Sequence, residues 1–150
     1  MAAGAASDRL SLGIPWLLLC LALALHVAEE IGSGFLPAYN LAIESMRELV
    51  PFATLPHLSL TVWLAASIGF VALLALLTPL AYRGVRGMRT LMLWVIGLEL
   101  ANVIGHAGGS VLAGRMLPGT YSTAAMAAAC AFAIVADRRR TKALRAGGGT

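Results

Sequence analysis

An apolar run near the start of the chain ends in three ionisable residues. The run extends from about residue 10 to residue 31, and its last turns carry His26, Glu29 and Glu30. At about 1.5 Å per residue, it is long enough to cross roughly 30 Å of hydrocarbon as an α-helix. An ionised side chain placed in hydrocarbon costs roughly 2.5–3.5 kcal/mol even on the mildest insertion scale. These groups therefore need partners from elsewhere in the chain, and they mark a functional site.

The composition indicates a membrane protein and excludes an ordinary soluble domain. Of the 150 residues, 59% are hydrophobic and only 12% are charged, whereas about a quarter are charged in soluble domains. The net charge of +4 is also found in nucleic-acid-binding proteins, but here the basic residues form short clusters beside apolar runs. That arrangement is typical of membrane topology. We predict one compact domain in a lipid bilayer and no nucleic-acid partner.

Three further apolar runs follow the first, separated by glycine, proline and charged residues. We predict an all-α integral membrane bundle of four transmembrane helices, at about residues 10–31, 58–80, 91–112 and 120–136. Gly32 to Gly34 and Pro37 are expected to end the first helix. A short amphipathic helix over residues 40–49 is expected in the membrane interface, between the first and second spans. Residues 1–9 are predicted to be disordered, and residues 137–150 to form a basic tail.

Charge and the number of spans predict the same orientation. Four spans place both termini and the loop after the second span on one side of the membrane. That side carries Arg83, Arg86, Arg89 and the basic tail, so the positive-inside rule makes it cytoplasmic. We therefore predict a multi-pass protein of the cell membrane with both termini in the cytoplasm.

The first and third spans carry histidines at matching depth. Both spans run in the same direction, and His26 lies about 16 residues into the first while His106 lies about 15 residues into the third. We therefore predict that the two imidazoles face one another across the bundle, in its outer half. His57 enters the second span from the same side.

Helical periodicity places the polar residues of each span on one face. On the first helix this face holds His26, Glu29 and Glu30, and on the third it holds Glu99, Asn102 and His106. Small residues line the opposite sides and would let helix backbones approach closely. They are Ala24, Ala28 and Gly32 on the first helix, and Gly97, Ala101, Gly105 and Gly109 on the third.

Imidazoles and carboxylates together form a ligand set for iron, manganese or zinc. We predict a divalent metal ion with four ligands, His26, Glu29, Glu30 and His106, and with Glu29 and Glu30 as catalytic groups. Asn102 would orient a cofactor, ligand or substrate, with Glu99 behind it about two turns deeper. The predicted function is a metal-dependent enzyme that acts on a hydrophobic or lipid-like substrate. Two alternatives stay open: a small transporter or proton-relay subunit that uses the same residues without a metal, and a polar lock between helices.

Three short motifs occur in order along the chain. They are His26-Val27-Ala28-Glu29-Glu30, Asn102-Val103-Ile104-Gly105-His106 and Pro118-Gly119. In these motifs the chain resembles the HXXEE family of small bacterial integral membrane proteins. That family has a Thr three positions after the glycine of the last motif, where this chain has Ser122. The resemblance spans the four predicted helices and implies a membrane protein, but it names no reaction.

Overall fold

The structure is a computed structural model and describes residues 2–49 and 56–147, most of which are helical. There are five helices in these ranges and no β-strand. They are α1 (Ala2–Ser33), α2 (Phe35–Leu49), α3 (Leu60–Tyr82), α4 (Met88–Ala113) and α5 (Thr123–Gly147). The predicted all-α fold is confirmed. The last three residues of the predicted basic tail lie outside the described ranges.

Three helices are long and apolar enough to cross a membrane. They are α3, α4 and the part of α1 over Leu12–Ser33, and they indicate a membrane protein. The second and third predicted spans agree with α3 and α4 to within about one turn. The predicted fourth span coincides with the first half of α5, which is not among the three. The apolar part of α5 is too short, because Asp137 and three arginines follow residue 136.

Several helix boundaries differ from those predicted. α2 begins at Phe35 and contains Pro37, because a proline in the first turn lacks only an N–H that would have no helical partner there. The break between α1 and α2 is Gly34 alone, at φ +75°. α1 is helical from Ala2, where disorder was expected, and α5 continues to Gly147 through the predicted tail. The extension of α1 is rich in alanine and that of α5 in arginine, and both residues have high helix propensity.

α1 lies at the centre of the bundle and packs along both α3 and α5, while α4 packs mainly on α5. The core is apolar, with Trp16 and Leu19 from α1 and Met92 from α4 among its most buried side chains. Trp16 donates its indole N–H to the carbonyl of Leu74 on α3, at 3.1 Å. α5 contributes small buried residues such as Ala133, which allow its close contact with α1 and α4.

Polar contacts join the helices at both ends of the bundle. At one end, Arg89 at the start of α4 donates two hydrogen bonds to Asp137 of α5, at 2.6 and 2.8 Å. At the other end, Glu29 of α1 accepts hydrogen bonds from the backbone just before α5. α5 therefore runs antiparallel to α4, from the end that holds His26, Glu30 and His106 to the end that holds the arginines.

The small-residue stripes do not bring the helices together, so that prediction was wrong. A β-carbon added at Gly32, Gly97 or Gly105 would meet nothing within 4 Å among the described residues. Only Gly109 is close to another segment, with the Cδ1 of Leu117 at 3.0 Å. The reason is geometric: the polar faces point into the bundle, so the sides opposite to them point outward.

Candidate metal centre

Two helices bring His26, Glu30 and His106 into one buried cluster. The Oε1 atom of Glu30 lies 3.4 Å from Nε2 of His26 and 3.2 Å from Nε2 of His106. His26 and Glu30 are one helical turn apart on α1, and His106 reaches them from α4. The imidazole rings meet edge to face, with centroids 4.8 Å apart. The predicted encounter of His26 with His106 is therefore present, and Glu30 lies between them.

The cluster is buried inside the bundle. His26 is 1% exposed, and Glu30 and His106 are each 7% exposed. Burial of ionisable groups at this level is unfavourable unless they bind one another or a metal ion. Within the described part of the chain, these three residues form a group whose ligand atoms all lie within 4.8 Å of one another, close enough to hold a metal ion.

Ser122 orients the imidazole of His26. Its hydroxyl donates to the carbonyl of Gly119 at 3.1 Å and lies 2.9 Å from Nδ1 of His26. Because the hydroxyl proton is used on Gly119, Ser122 accepts a hydrogen bond from the Nδ1–H of His26. The lone pair of His26 is then on Nε2, which faces Glu30. A hydrogen bond from the second ring nitrogen is the usual way that a metal-ligating histidine is held in one tautomer.

The Pro118-Gly119 turn packs directly on the two histidines. Gly119 is buried at φ +87°, a backbone conformation that favours glycine. A β-carbon added there would lie 2.6 Å from Cε1 of His106 and 3.0 Å from Cε1 of His26. Glycine is therefore needed at this position both for its backbone conformation and for the close approach of the turn to the cluster.

Ser110 holds the same turn onto the end of α4. Its hydroxyl accepts the backbone N–H of Leu117 at 3.0 Å and lies 2.8 Å from the hydroxyl of Thr120. Ser110 is one turn beyond His106, so this contact places the turn over the imidazole. The loop after α4 is thus an ordered wall of the site.

Asn102 and Phe35 complete the surroundings of the histidines. The Nδ2 atom of Asn102 lies 3.0 Å from Nε2 of His26, so the amide donates to the lone pair that faces the cluster. Phe35, the first residue of α2, packs its ring 5.5 Å from that of His106. Asn102 is therefore beside the site as predicted, and the start of α2 covers it.

Glu29 is placed differently from the prediction. Its carboxylate accepts the backbone N–H groups of Tyr121 and Ser122, at 3.1 and 2.6 Å. It is not a member of the His26, Glu30 and His106 group. The physical reason is that Glu29 points about 100° away from Glu30 around the helix, toward the turn before α5. Glu29 thus fixes the segment that carries Ser122.

Glu99 lies deeper in the bundle and is 1% exposed. The Sγ of Cys130 lies 3.6 Å from its Oε2, while its Oε1 has no hydrogen-bond partner among the described residues. No contact joins Glu99 to the histidines there. The group that could hold a metal ion therefore does not include Glu99.

Two other residues that the sequence singled out lie away from the cluster. His57 lies 3.9 Å from Glu44, and both side chains are solvent-accessible. Arg115 is exposed in the loop that follows α4. Neither belongs to the group that could bind a metal.

Sequence reasoning missed the roles of Ser122, Gly119 and Phe35. The Pro-Gly motif was the available signal for the first two, because it marked the turn on which both depend. No sequence pattern indicated a role for Phe35, because its contact with His106 depends on how α2 folds back after Gly34.

The donor set suits a metal with an open coordination position. In a tetrahedral zinc site with metal–ligand distances of about 2.0–2.1 Å, donor atoms lie roughly 3.3–3.4 Å apart. The two distances from Glu30 Oε1, 3.2 and 3.4 Å, match that spacing. Two histidines and one carboxylate are also a ligand set of non-haem iron. Three protein ligands leave a position for water or substrate.

Comparison with known proteins places the chain in a family. No match was found among curated proteins or among solved structures. The family model described as "Protein of unknown function with HXXEE motif" matches residues 16–134, which covers α3, α4 and the motifs in α1 and the Pro-Gly turn. The resemblance seen in the three motifs is confirmed. The chain therefore belongs to the HXXEE family, and the first and last residues of its His-x-x-Glu-Glu motif, His26 and Glu30, form the buried cluster with His106.

Proposed function

We propose that this protein is a membrane-embedded, metal-dependent enzyme that acts on a hydrophobic or lipid-like substrate. His26, Glu30 and His106 hold one divalent ion of zinc, iron or manganese. The observation that carries the proposal is the position of Glu30 Oε1, at 3.4 and 3.2 Å from the Nε2 atoms of the two histidines. Two imidazoles and a buried carboxylate supply the ligands that these metals prefer.

The distribution of apolar residues supports a membrane location. Large hydrophobic side chains are exposed on every long helix, including Leu25 at 54%, Leu76 at 76%, Val111 at 81% and Phe132 at 47%. The ionisable residues His26 and Glu99 are meanwhile among the most buried. This arrangement, apolar outside and ionisable inside, is favourable in lipid and costly in water.

We further propose that α5 is a fourth crossing. Ser122, the residue just before α5, contacts His26 of the cluster, and Asp137 of α5 binds Arg89 at the opposite end of the bundle. The apolar part of α5 is short, but Gly119, at the centre of the turn before it, is buried by protein. Non-helical backbone is tolerated at membrane depth when protein covers it. Both termini would then lie on the arginine-rich side, which the positive-inside rule makes cytoplasmic.

An apolar groove supports a lipid-like substrate. It lies between α1 and α5, has a volume of about 450 Å³ and is lined only by apolar residues, including Leu21, Leu25, Ala125 and Phe132. Leu25 precedes His26, and Ala125 follows Ser122 by three residues, so the groove lies close to the site along both helices. A hydrocarbon chain in this groove would hold a polar group of the same molecule near the cluster.

The residues of the site have separate tasks in this proposal. A metal ion held by His26, Glu30 and His106 would act as a Lewis acid toward a substrate oxygen or a water molecule. Ser122 keeps the Nε2 lone pair of His26 directed at the cluster. Asn102, which now donates to that lone pair, would instead offer its amide to a substrate or water oxygen. Gly119 and Phe35 cover the histidines and exclude bulk water.

Metal analysis of the detergent-purified protein tests the proposal. After loading with Zn²⁺, Fe²⁺ or Mn²⁺ and removal of excess ion, we expect about one bound ion per wild-type chain. His26→Ala and His106→Ala should lose it. His57→Ala is the matched control, because this third histidine is exposed and lies outside the cluster, and it should bind like the wild type. Wild-type protein that binds no more metal than His26→Ala would refute the metal centre.

Turnover needs a separate measurement. Wild-type protein and Glu30→Gln are each reconstituted into vesicles of mixed membrane lipids, and the lipids are compared by mass spectrometry after incubation. We expect a metal-dependent change in one lipid class with the wild type only. If the wild type binds one metal ion per chain but its lipid profile is identical to that of Glu30→Gln, the function is limited to metal binding.

One observation favours a second candidate, a proton relay without a metal. Asn102 Nδ2 lies 3.0 Å from the His26 nitrogen that a metal would use, and Glu30 lies between the two histidines. Asn102, His26, Glu30 and His106 therefore form a continuous polar chain with no ion. If the wild type binds no metal, and if proton uptake into vesicles depends on Glu30, the relay replaces the enzyme.

A further inference from the structure

A second polar site lies at the end of the bundle opposite the histidines. It is a cavity of about 300 Å³ between the start of α4, the α3–α4 loop, the tail end of α5 and one turn of α1. Arg86, Arg89 and Arg140 contribute to its lining, and Leu12, Val85 and Leu144 form apolar parts of the wall. We refer to it as the basic cavity. The metal centre uses none of these residues.

The positive charge of the basic cavity is only partly neutralised. Arg89 binds Asp137 through two hydrogen bonds, at 2.6 and 2.8 Å. Among the residues whose side chains the structure describes, no carboxylate lies within ion-pair distance of Arg86 or Arg140. The Nε atom of Arg140 is buried there without a hydrogen-bond partner. A buried guanidinium N–H without an acceptor is costly, so this group is suited to an anionic ligand.

The start of α4 lies at the same cavity. Its N-cap is Gly87, at φ +91°, which has no side chain to cap the helix and lines the cavity. In the described chain, the first i→i−4 bond at this end is that from Leu91 N to Gly87 O, so the N–H groups of Arg89 and Thr90 have no backbone acceptor. The N-terminus of a helix with free N–H groups attracts anions such as phosphate.

We propose that the basic cavity binds the phosphate group of an anionic membrane phospholipid. Arg86, Arg140 and the N-terminus of α4 contact the phosphate, and Arg89 is held in place by Asp137. A lipid is favoured over a free phosphate ion because Leu12, Val85 and Leu144 supply apolar walls for the acyl chains. Basic pockets between helices at a membrane surface are a known mode of binding anionic head groups.

Lipid binding by the full-length protein in non-ionic detergent tests the proposal. Native mass spectrometry counts bound lipid, and thermal unfolding measures the stabilisation by phosphatidylglycerol, phosphatidylcholine or inorganic phosphate. We expect phosphatidylglycerol to bind and to raise Tm more than the zwitterionic lipid, and inorganic phosphate to have no effect. Equal effects of the two lipids would overturn the proposal. A phosphate ion that reproduces the full stabilisation would overturn the assignment to a lipid.

Paired arginine variants locate the effect. Arg140→Gln and Arg86→Gln should each weaken binding of phosphatidylglycerol by about fivefold, the typical contribution of one basic residue near an anionic membrane surface. Their matched controls, Arg139→Gln on α5 and Arg83→Gln in the α3–α4 loop, remove the same charge outside the cavity and should bind like the wild type. If the variants and their controls lose the same affinity for phosphatidylglycerol, the lipid is attracted by the overall positive charge of this end of the bundle, and the proposed site is overturned. If Arg140→Gln fails to fold, the comparison of Arg86→Gln with Arg83→Gln tests the proposal, because Arg86 is exposed and its substitution should not affect folding.

Discussion

Gly119 contacts His106 so closely that a β-carbon at Gly119 would lie 2.6 Å from Cε1 of the imidazole. The turn after α4 is therefore one wall of the cluster formed by His26, Glu30 and His106. It brings Ser122 to His26 and is itself held by Glu29 and Ser110. The site depends on this turn as much as on the two helices that carry the histidines.

Gly119→Ala should disturb the histidine pair. Both Gly119 and Gly114 have positive φ, at +87° and +61°, so each alanine substitution costs roughly 1–2 kcal/mol for its backbone conformation. Only at Gly119 does the added methyl group also displace His106. We expect Gly119→Ala to lose metal and to lower Tm further than Gly114→Ala does. Metal content and Tm that are the same for the two variants would contradict the packing of the turn on the cluster.

Ser122→Ala removes the acceptor for the Nδ1–H of His26 and should destabilise the protein by about 1–3 kcal/mol, because a buried donor is left unsatisfied. Loss of such an orienting contact also lowers metal affinity by roughly 10–100-fold. Ser122→Thr keeps the hydroxyl and is expected to match the wild type. Metal titration followed by thermal unfolding checks both variants. A threonine variant as weak as the alanine variant would show that the hydroxyl is not the important group.

The adjacent glutamates should respond in opposite ways to the same change. Glu30→Gln should lose metal with little change in Tm, because the amide keeps the shape of the side chain but is a poor ligand. Glu29→Gln should keep the metal but lower Tm, because it weakens the charge-assisted hydrogen bonds to Tyr121 and Ser122. Metal content and Tm measured on one set of preparations separate the two. Loss of metal in Glu29→Gln alone would reverse the roles assigned to them.

Glu99→Gln tests the isolated buried carboxyl group. Glu99 Oε1 is buried without a hydrogen-bond partner, and burial of an ionised carboxylate is costly without compensation. The amide removes the possibility of charge and keeps the volume, so we expect an unchanged or raised Tm and normal metal binding. A large fall in metal content would mean that Glu99 acts on the histidines directly.

Reporter fusions test the proposed topology. A reporter at the C-terminus should be read as cytoplasmic, and one inserted after Arg115 as external, because α5 runs from the Ser122 end of the bundle to the Asp137 end. The insertion lies in the exposed part of the loop after α4, ahead of the Pro-Gly turn. If both reporters are read on one side, α5 does not cross the membrane.

The depth and the face of each polar residue could be predicted because both are properties of a single helix. Counting residues from the start of each span placed His26 and His106 at the same depth, and in the structure the centroids of their rings are 4.8 Å apart. The periodicity placed Glu29 and Glu30 within one broad polar face and could not show which of them lies beside His106. It also could not show that the stripes containing Gly97 and Gly105 point outward, because nothing in one helix defines its rotation in the bundle.

The sequence by itself determined that the chain is helical, that the first three of its four predicted spans are apolar enough for a membrane, and which residues of α1 and α4 share a face. These properties depend on residues only a few positions apart. The tertiary structure alone decided that Glu30 lies between the histidines, that Ser122 orients His26, and that Arg86 and Arg140 line one cavity. Those contacts join residues far apart in the chain, so they depend on helix rotation, the path of the turn after α4 and the packing of α5, which local periodicity does not specify.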